Sequence, residues 1–135
     1  MGEILKKIKV RAKPEKELNL MLFFDSGSPH TYAKKSAAEN LEGLMKLPVP
    51  VEFIGIGDGV FSANYALNIQ VSLLDFWCLH LCYVVDDEIL EANEDILIGH
   101  DFMQKFKIGL DFDKEDLILD ENALKRAQKV RFIRE

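Results

Sequence analysis

The sequence places one carboxylate directly after an apolar segment. Residues 22–24 (Leu-Phe-Phe) run into Asp25, and Ser26 and Gly27 follow. An unpaired charge beside a core costs free energy, so a carboxylate at this place is a candidate for chemistry. Ser26 supplies a short hydroxyl, and Gly27 lacks a side chain, so another backbone can come close. Asp-Ser-Gly is also a common surface turn, and that ordinary interpretation stays open at this point.

A glycine-rich segment lies further along the chain. In residues 53–61 (Phe-Ile-Gly-Ile-Gly-Asp-Gly-Val-Phe) glycine recurs at every second position. A loop that cradles phosphate needs a following helix and usually a lysine, and the strand-like flanks of this segment offer neither. The segment therefore favours the tip of a β-hairpin that closes over a ligand. An ordinary glycine-rich turn is the alternative.

A third segment combines an apolar strand with a polar turn. Residues 96–102 (Ile-Leu-Ile-Gly-His-Asp-Phe) predict a strand that breaks at Gly99 and enters a helix. Asp101 falls near the start of that helix, where negative charge is favoured. An ordinary strand-to-helix turn explains the same pattern, so the segment identifies no site by itself.

The elements that must position these segments are mostly strands. Residues 4–12 and 18–24 predict a β-hairpin, and Pro14 marks the turn between them. Apolar residues at helical spacing predict a helix over 31–46, which ends before Pro48. The remaining pattern predicts strands at 51–56, 60–74, 76–85, 96–98, 108–112 and 117–119, a helix at 101–106, an acidic surface loop at 86–95, and a helix or a strand at 122–135.

Length and composition predict one globular domain over residues 1–135. The chain has 135 residues, of which 48% are hydrophobic and 30% are charged, a balance typical of globular proteins. Its net charge of −6 argues against nonspecific binding to nucleic acid, because phosphate backbones favour basic surfaces. No apolar run approaches the roughly 18 residues that span a bilayer, and no secretory signal is recognisable. We therefore expect a cytoplasmic protein without membrane association.

Residues 78–82 (Cys-Leu-His-Leu-Cys) contain residue types that can bind a metal ion or form a disulfide. On a strand the two cysteines lie about 13 Å apart, too far to share a zinc ion or form a disulfide. The sequence therefore predicts no metal site here and two thiols buried in a sheet. His30, which follows the Asp25 turn, is interpreted as a solvated loop residue rather than one that influences the acidity of the turn.

Taken in order, the three segments resemble the retropepsin family, the single-domain aspartic proteases of retroviruses, retrotransposons and some cellular and prokaryotic proteins. The family pattern is an apolar pair, Asp-Thr/Ser-Gly-Ala/Ser, a glycine-rich flap, then apolar residues, Gly and a short helix. This chain offers residues 23–28, 54–59 and 97–102 in the same order, and 108–112 is similar to the strand after the family's helix. Ser26 replaces the commoner Thr, a variant known within the family.

This resemblance implies a mainly β fold, the closed β-barrel of the acid proteases. One short helix follows the second apolar-Gly motif, and 31–46 would add a further helix. The motif-bearing part covers about residues 8–112, and 113–135 form a C-terminal extension. Because the chain carries one Asp-Ser-Gly triplet and aspartic proteolysis needs two carboxylates, the resemblance also implies a homodimer with its site on the twofold axis.

The family's site residues transfer to matching positions of this chain. One Asp25 would act as a general base on water while the Asp25 of the other subunit protonates the peptide carbonyl, the pair sharing one proton. Ser26 would bond across the axis to the partner's backbone, and Gly27 would let the two loops approach. The substrate is a peptide or protein, and no cofactor or metal is implied. The flap would comprise Ile54, Gly55, Ile56, Gly57, Asp58 and Gly59, and Ile98, Gly99 and Asp101 would give structural support.

Two other classes of function stay open on the sequence. A catalytically silent domain could keep the same fold for dimerisation or peptide binding, although the intact Asp25 favours the enzyme. An unrelated small β-barrel that binds a ligand is the other alternative, and it requires the three motifs to coincide by chance.

Overall fold

A computed structural model describes residues 3–54 and 59–128 of the chain. Most of the described residues lie in strands, and the helices are short. The strands are β1 (Glu3–Lys13), β2 (Lys16–Asp25), β3 (Tyr32–Lys34), β4 (Met45–Ile54), β5 (Val60–Leu73), β6 (Phe76–Val85), β7 (Ile96–Ile98), β8 (Gly109–Asp111) and β9 (Asp116–Ile118). The helices are α1 (Lys35–Leu41), α2 (His100–Lys105) and α3 (Glu121–Ala127), with one 3-10 turn at Asp87–Ile89.

Six of these strands close into a barrel in the order β1–β2–β7–β3–β6–β5. The ring closes where β5 pairs with β1, with Val10 opposite Val71 and Arg11 opposite Gln70. Strand β4 pairs with β5 outside the ring, and β8 and β9 form a separate hairpin. The predicted fold class, a mainly β closed barrel with a short helix after the second apolar-Gly motif, is confirmed.

The first hairpin and the strand β7 bring the sequence motifs together. Antiparallel pairing of β1 with β2 confirms the predicted hairpin. Strand β2 runs parallel to β7, with Phe24 opposite Ile98. Because parallel neighbours end at the same edge of a sheet, Asp25 and Gly99, the next residues of the two strands, lie side by side.

The barrel interior is filled by side chains that alternate along these strands. Leu22 and Phe24 of β2 are fully buried, as are Ile96 and Ile98 of β7. Burial of side chains of this size contributes about 2 kcal/mol each. The core therefore holds β2 in place up to Phe24, the residue before Asp25, and β7 up to Ile98, the residue before Gly99. The main core also includes Val10, Ala33, Ala38, Leu41, Leu67, Ile69, Val71, Cys78, Cys82, Phe102 and Leu124.

The predicted helix over 31–46 is wrong in extent. Residues 32–34 form β3, which is buried between β7 and β6. Helix α1 ends at Leu41, and the next residue, Glu42, has a φ of 61°. Residues 45–54 form the edge strand β4, and the register of its pairing with β5 shifts between Lys46 and Val51. Proline is tolerated at such an irregular edge, so Pro48 lies within a strand instead of marking the end of a helix.

The predicted acidic surface loop at 86–95 is only partly exposed. Its first half contains the 3-10 turn, but Glu94 is just 5% exposed. The Asp95 carboxylate accepts a hydrogen bond from the Met21 N–H at 2.8 Å, and the Asp95 carbonyl accepts another from the Lys34 N–H at 3.0 Å. The end of this segment is therefore tied to β2 and β3 and is part of the barrel wall.

The C-terminal region of the described chain is helical. Asp120 caps α3, since its carboxylate accepts a hydrogen bond from the Ala123 N–H at 3.1 Å. This decides the open choice between helix and strand for 122–128, and the rest of the predicted segment, 129–135, lies outside the described residues. None of the helices in the described ranges is long and apolar enough to cross a membrane. A single domain over 1–135, with 113–135 as an extension, stays a prediction.

Candidate active site

Asp25 ends β2 and begins a tight turn. Its Oδ1 accepts a hydrogen bond from the Gly27 N–H at 2.9 Å, and its carbonyl accepts one from the Ser28 N–H at 3.1 Å. Asp25 is half-buried, whereas Ser26 and Gly27 are exposed. A Cβ at Gly27 would lie 3.2 Å from Asp25 Oδ1, so a glycine here leaves the carboxylate its space. The turn fixes the carboxylate in orientation and leaves it open to solvent.

Gly99 supports this turn from the neighbouring strand. A Cβ at Gly99 would lie 2.1 Å from the His30 carbonyl oxygen and 2.7 Å from the Ser28 carbonyl oxygen. The next residue, His100, donates its N–H to that Ser28 oxygen at 2.6 Å. The loop after Asp25 therefore lies directly on the backbone at the start of α2, and any side chain at 99 would push the two apart.

A polar network continues this contact into the core. Thr31 Oγ1 accepts a hydrogen bond from the Gly99 N–H at 3.1 Å and donates one to Asp101 Oδ1 at 2.7 Å. The other carboxylate oxygen, Asp101 Oδ2, lies 2.9 Å from His80 Nε2. Burial alone would raise the pKa of Asp101, but the hydrogen bonds from His80, Thr31 and the Phe102 N–H outweigh it and lower the pKa. A carboxylate ionised near neutral pH thus joins the loop, α2 and β6.

Thr31 and His80 are the residues that reasoning from the sequence missed. His80 lies in β6 between two buried cysteines at alternate positions, which indicates an inward-facing polar side chain. A buried histidine needs a polar partner, and Asp101 could have been matched to it on that ground. Nothing comparable in the sequence singles out Thr31.

A cleft of about 480 Å³ opens beside the turn. Gly27 and Pro29 line it from the loop, Ile54 and Val60 from the β4–β5 hairpin, and Leu90 from the segment before β7. Ser28, Tyr32, Gly59, Phe61, Glu88, Ile89 and Leu97 complete the lining. The loop after Asp25 and the β4–β5 hairpin thus line opposite sides of a largely apolar cleft.

Comparison with solved structures reveals the same arrangement of strands elsewhere. The retroviral protease-like domain of Ddi1 from Leishmania major matches 89% of this chain and 88% of its own, with a TM-score of 0.55 and 18% identity. The EIAV protease, solved in complex with the inhibitor HBY-793, matches 81% of this chain and 92% of its own, with a TM-score of 0.56 and 13% identity. The chain has the retropepsin-like fold.

Comparison of the sequence with protein families and with curated proteins identifies no relative of this chain. No protein-family model matches the chain, and no curated protein matches it. At 13% and 18% identity the two structures establish the retropepsin-like fold alone. Which residues act within that fold has to be argued from this chain.

Two of the predicted flap residues lie in the described ranges. Ile54, which is 89% exposed, ends β4, Gly59 precedes β5, and both line the cleft. A Cβ at Gly59 would meet nothing within 4 Å. The predicted flap residues Gly55, Ile56, Gly57 and Asp58 lie outside the described residues.

His30 is not the solvated loop residue that the sequence predicts. Its ring is half-buried and packs edge-on against Phe53, with ring centroids 5.2 Å apart. Tyr32 and Tyr83 lie 6.2 Å from it in the same manner. The loop between Asp25 and β3 is therefore anchored by apolar contacts on one side and by Gly99 on the other.

Both cysteines are free and buried, which confirms the predicted buried thiols. Within the described ranges no cluster of three or more His, Cys, Asp or Glu side chains could hold a metal ion. His80, between the cysteines, uses its Nε2 toward Asp101. The predicted absence of a metal and of a cofactor stays a prediction.

A second depression, of about 560 Å³, borders Ser26. His100, Gln104 and Lys107 of the α2 region line it together with Phe112, which is 49% exposed. An exposed aromatic ring beside the Asp25 turn leaves apolar surface uncovered in the isolated chain.

Proposed function

We propose that this chain is an aspartic endopeptidase that acts as a homodimer, with one Asp25 from each subunit in a shared site. The observation that carries the proposal is the position of Asp25: it is half-buried at the end of β2, and its Oδ1 is held by the Gly27 N–H at 2.9 Å. The retropepsin-like fold supplies the frame around it. The intact Asp25 favours the enzyme over a catalytically silent domain of the same fold.

The chemistry needs a carboxylate pair. Two such groups about 3 Å apart share one proton, because both cannot ionise at that distance. The ionised Asp25 would remove a proton from water as the water oxygen attacks the peptide carbonyl carbon. The protonated Asp25 of the other subunit would donate its proton to the carbonyl oxygen. Collapse of the tetrahedral intermediate then breaks the C–N bond, and the amine leaves with a proton from the pair.

The surface around Ser26 fits a second copy of the chain. Ser26 is exposed and borders the depression that contains the half-exposed ring of Phe112. A partner subunit seated there would cover this apolar surface and bring the two Asp25 turns together. In that assembly Ser26 hydrogen-bonds to the partner's backbone and Gly27 permits the close approach of the two loops.

The cleft beside Gly27 fits an extended peptide. Ile54 and Val60, 89% and 65% exposed, present apolar surface on the hairpin side of the cleft. A substrate strand would lie between this hairpin and the Asp25 turn, bound by main-chain hydrogen bonds in the manner of an added β-strand. The hairpin tip, with Gly55, Ile56, Gly57, Asp58 and Gly59, acts as the flap in this proposal. Ile98, Gly99 and Asp101 position the turn and do not contact the substrate.

Cleavage of a peptide library by purified protein at about pH 5 tests the proposal. We expect cleavage that Asp25→Asn abolishes and that a statine-type transition-state mimic blocks. Asp25→Asn keeps the size of the side chain and an oxygen for the Gly27 N–H, so its loss of activity would report the chemistry and not the fold. Equal cleavage by both proteins would mean a contaminant. A stable dimer that binds peptides and cleaves none would identify the silent module instead.

A further inference from the structure

One charged side chain is found among the described residues that line the largely apolar cleft beside Gly27. Among these residues, Glu88 alone is a charged type. Most of the other lining residues are apolar, among them Ile54, Val60 and Leu97, and Ser28 is polar but uncharged. Tyr32 adds a hydroxyl, but burial and the nearby Asp101 raise the pKa of Tyr32 to about 12, so it stays neutral.

Glu88 is held at the rim by its own turn. It is the middle residue of the 3-10 turn Asp87–Ile89, in which the Ile89 N–H donates to the Asp86 carbonyl at 3.0 Å. The Asp87 carboxylate accepts the Ser36 N–H at 3.0 Å, and Leu90 is only 9% exposed. The backbone on both sides of Glu88 is thus anchored while its side chain is exposed.

The Glu88 carboxylate has no cation of its own in the described part of the chain. The ion pairs formed by the described residues involve Lys6, Lys9, Lys13, Lys16 and His80, each with another acidic residue. An acidic group that faces an apolar cleft without a counter-ion attracts cations and repels anions from that cleft.

We propose that Glu88 makes this site select substrates with a lysine or arginine side chain at the position that occupies the cleft. The inference rests on the proposed peptidase function and names its substrate class. Lysine and arginine have apolar stems that can lie along the aliphatic wall while their cationic ends reach a carboxylate at the rim. An aspartate or glutamate at the same substrate position would meet like charge and would be disfavoured.

The test compares peptides that differ at a single position. The full-length protein is given otherwise identical fluorogenic peptides with lysine, glutamine or glutamate placed in turn at each residue flanking the scissile bond. We expect one position at which lysine raises kcat/KM over glutamine by about threefold to tenfold, with glutamate below both. The preference should weaken as salt is added, because the carboxylate is near the surface.

Variants assign the preference to one residue. Glu88→Gln should remove the difference between lysine and glutamine peptides, and Glu88→Lys should favour glutamate. Glu91→Gln is the matched control, since Glu91 is exposed three residues further on and does not line the cleft. A lysine preference that survives in Glu88→Gln, or that is absent from the native protein while cleavage still requires Asp25, would overturn the inference and leave the peptidase proposal standing.

Binding measurements distinguish a failure of the peptidase proposal from a failure of the inference about Glu88. Fluorescence polarisation with Asp25→Asn measures affinity for the same peptides without cleavage, and the double variant Asp25→Asn/Glu88→Gln measures it without the charge. If the native chain cleaves nothing, a lysine preference that disappears in the double variant still supports the selection by Glu88. Equal affinity of both variants for lysine and glutamine peptides, or no binding at all, overturns it.

Discussion

The Cα of Gly99 lies so close to the backbone of His30 that a β-carbon on residue 99 would be 2.1 Å from the His30 carbonyl oxygen. That contact joins the end of β7 to the loop that follows Asp25. It explains why an apolar strand must end in glycine at this point, and it makes the loop geometry depend on a residue outside the loop.

Gly99→Ala should therefore be strongly destabilising. Neither partner of the contact is a flexible side chain, so relief of the overlap requires a backbone shift, and we expect a loss of about 3 kcal/mol or more in the free energy of unfolding. Urea denaturation of the two proteins measures it. Gly59→Ala is the matched control, because a Cβ there meets nothing within 4 Å. An unfolding midpoint for Gly99→Ala equal to that of Gly59→Ala would contradict the contact.

The Thr31 hydroxyl gives a second, separable prediction. Thr31→Val keeps the shape of the side chain but leaves the Gly99 N–H and Asp101 Oδ1 without this partner, at a cost of about 1–3 kcal/mol. Thr31→Ser keeps the oxygen and should cost less. Chemical denaturation distinguishes the two variants. A larger loss in Thr31→Ser than in Thr31→Val would show that packing of the methyl group, which Thr31→Val keeps, stabilises the loop more than the hydrogen bonds do.

The barrel strands and the motif order follow from the sequence because both depend on local patterns. Alternation and apolar content identify β1, β2, β5, β6 and β7, and Gly99 is recognisable as a strand end. The parallel pairing that brings Phe24 opposite Ile98 depends on contacts distant in sequence. This pairing is not predicted by the sequence.

The errors have identifiable causes. Residues 32–34 have the apolar content of a helix face but are buried between two strands, so tertiary pairing overrides local spacing. Glu94 belongs to a run of acidic residues that the sequence predicts to be solvated. In the structure it is buried, and its Oε1 accepts a hydrogen bond from the Glu91 N–H at 3.3 Å. The sequence assigns no partner to His80, because only the fold brings its Nε2 to within 2.9 Å of Asp101.

Burial of Glu94 predicts a pH-dependent effect on stability. Burial raises the pKa of Glu94 above its ordinary value and outweighs the hydrogen bond from the Glu91 N–H, which lowers it. The folded state therefore disfavours the charged form, and native stability is lost as the pH rises from about 4.3, the unfolded value. Glu94→Gln has no charge to bury, so we expect it to melt above the native protein at pH 7 and equally below about pH 4.

Thermal melting across this pH range checks the Glu94 prediction. Glu15→Gln, in the exposed turn between β1 and β2, is the control and should follow the native curve throughout. A Glu94→Gln variant that melts below the native protein at neutral pH would show that the charged carboxylate stabilises the fold.

The two thiols should be unreactive in the folded protein. Burial raises the pKa of Cys78 to about 11, and it raises the pKa of Cys82 as well, so almost no thiolate is present at pH 8. We expect a thiol reagent such as Ellman's to modify neither cysteine in native conditions and both in urea. Rapid modification of the native protein would place at least one of them at the surface.

The decisive experiment mixes native chains with Asp25→Asn chains. The two are unfolded together in equal amounts, refolded, and assayed for peptide cleavage at constant total protein. If each site needs an Asp25 from both subunits, only dimers of two native chains are active, and random pairing leaves about one quarter of the native activity. An activity of about one half would mean that each chain carries a complete site of its own, which contradicts the shared pair of carboxylates.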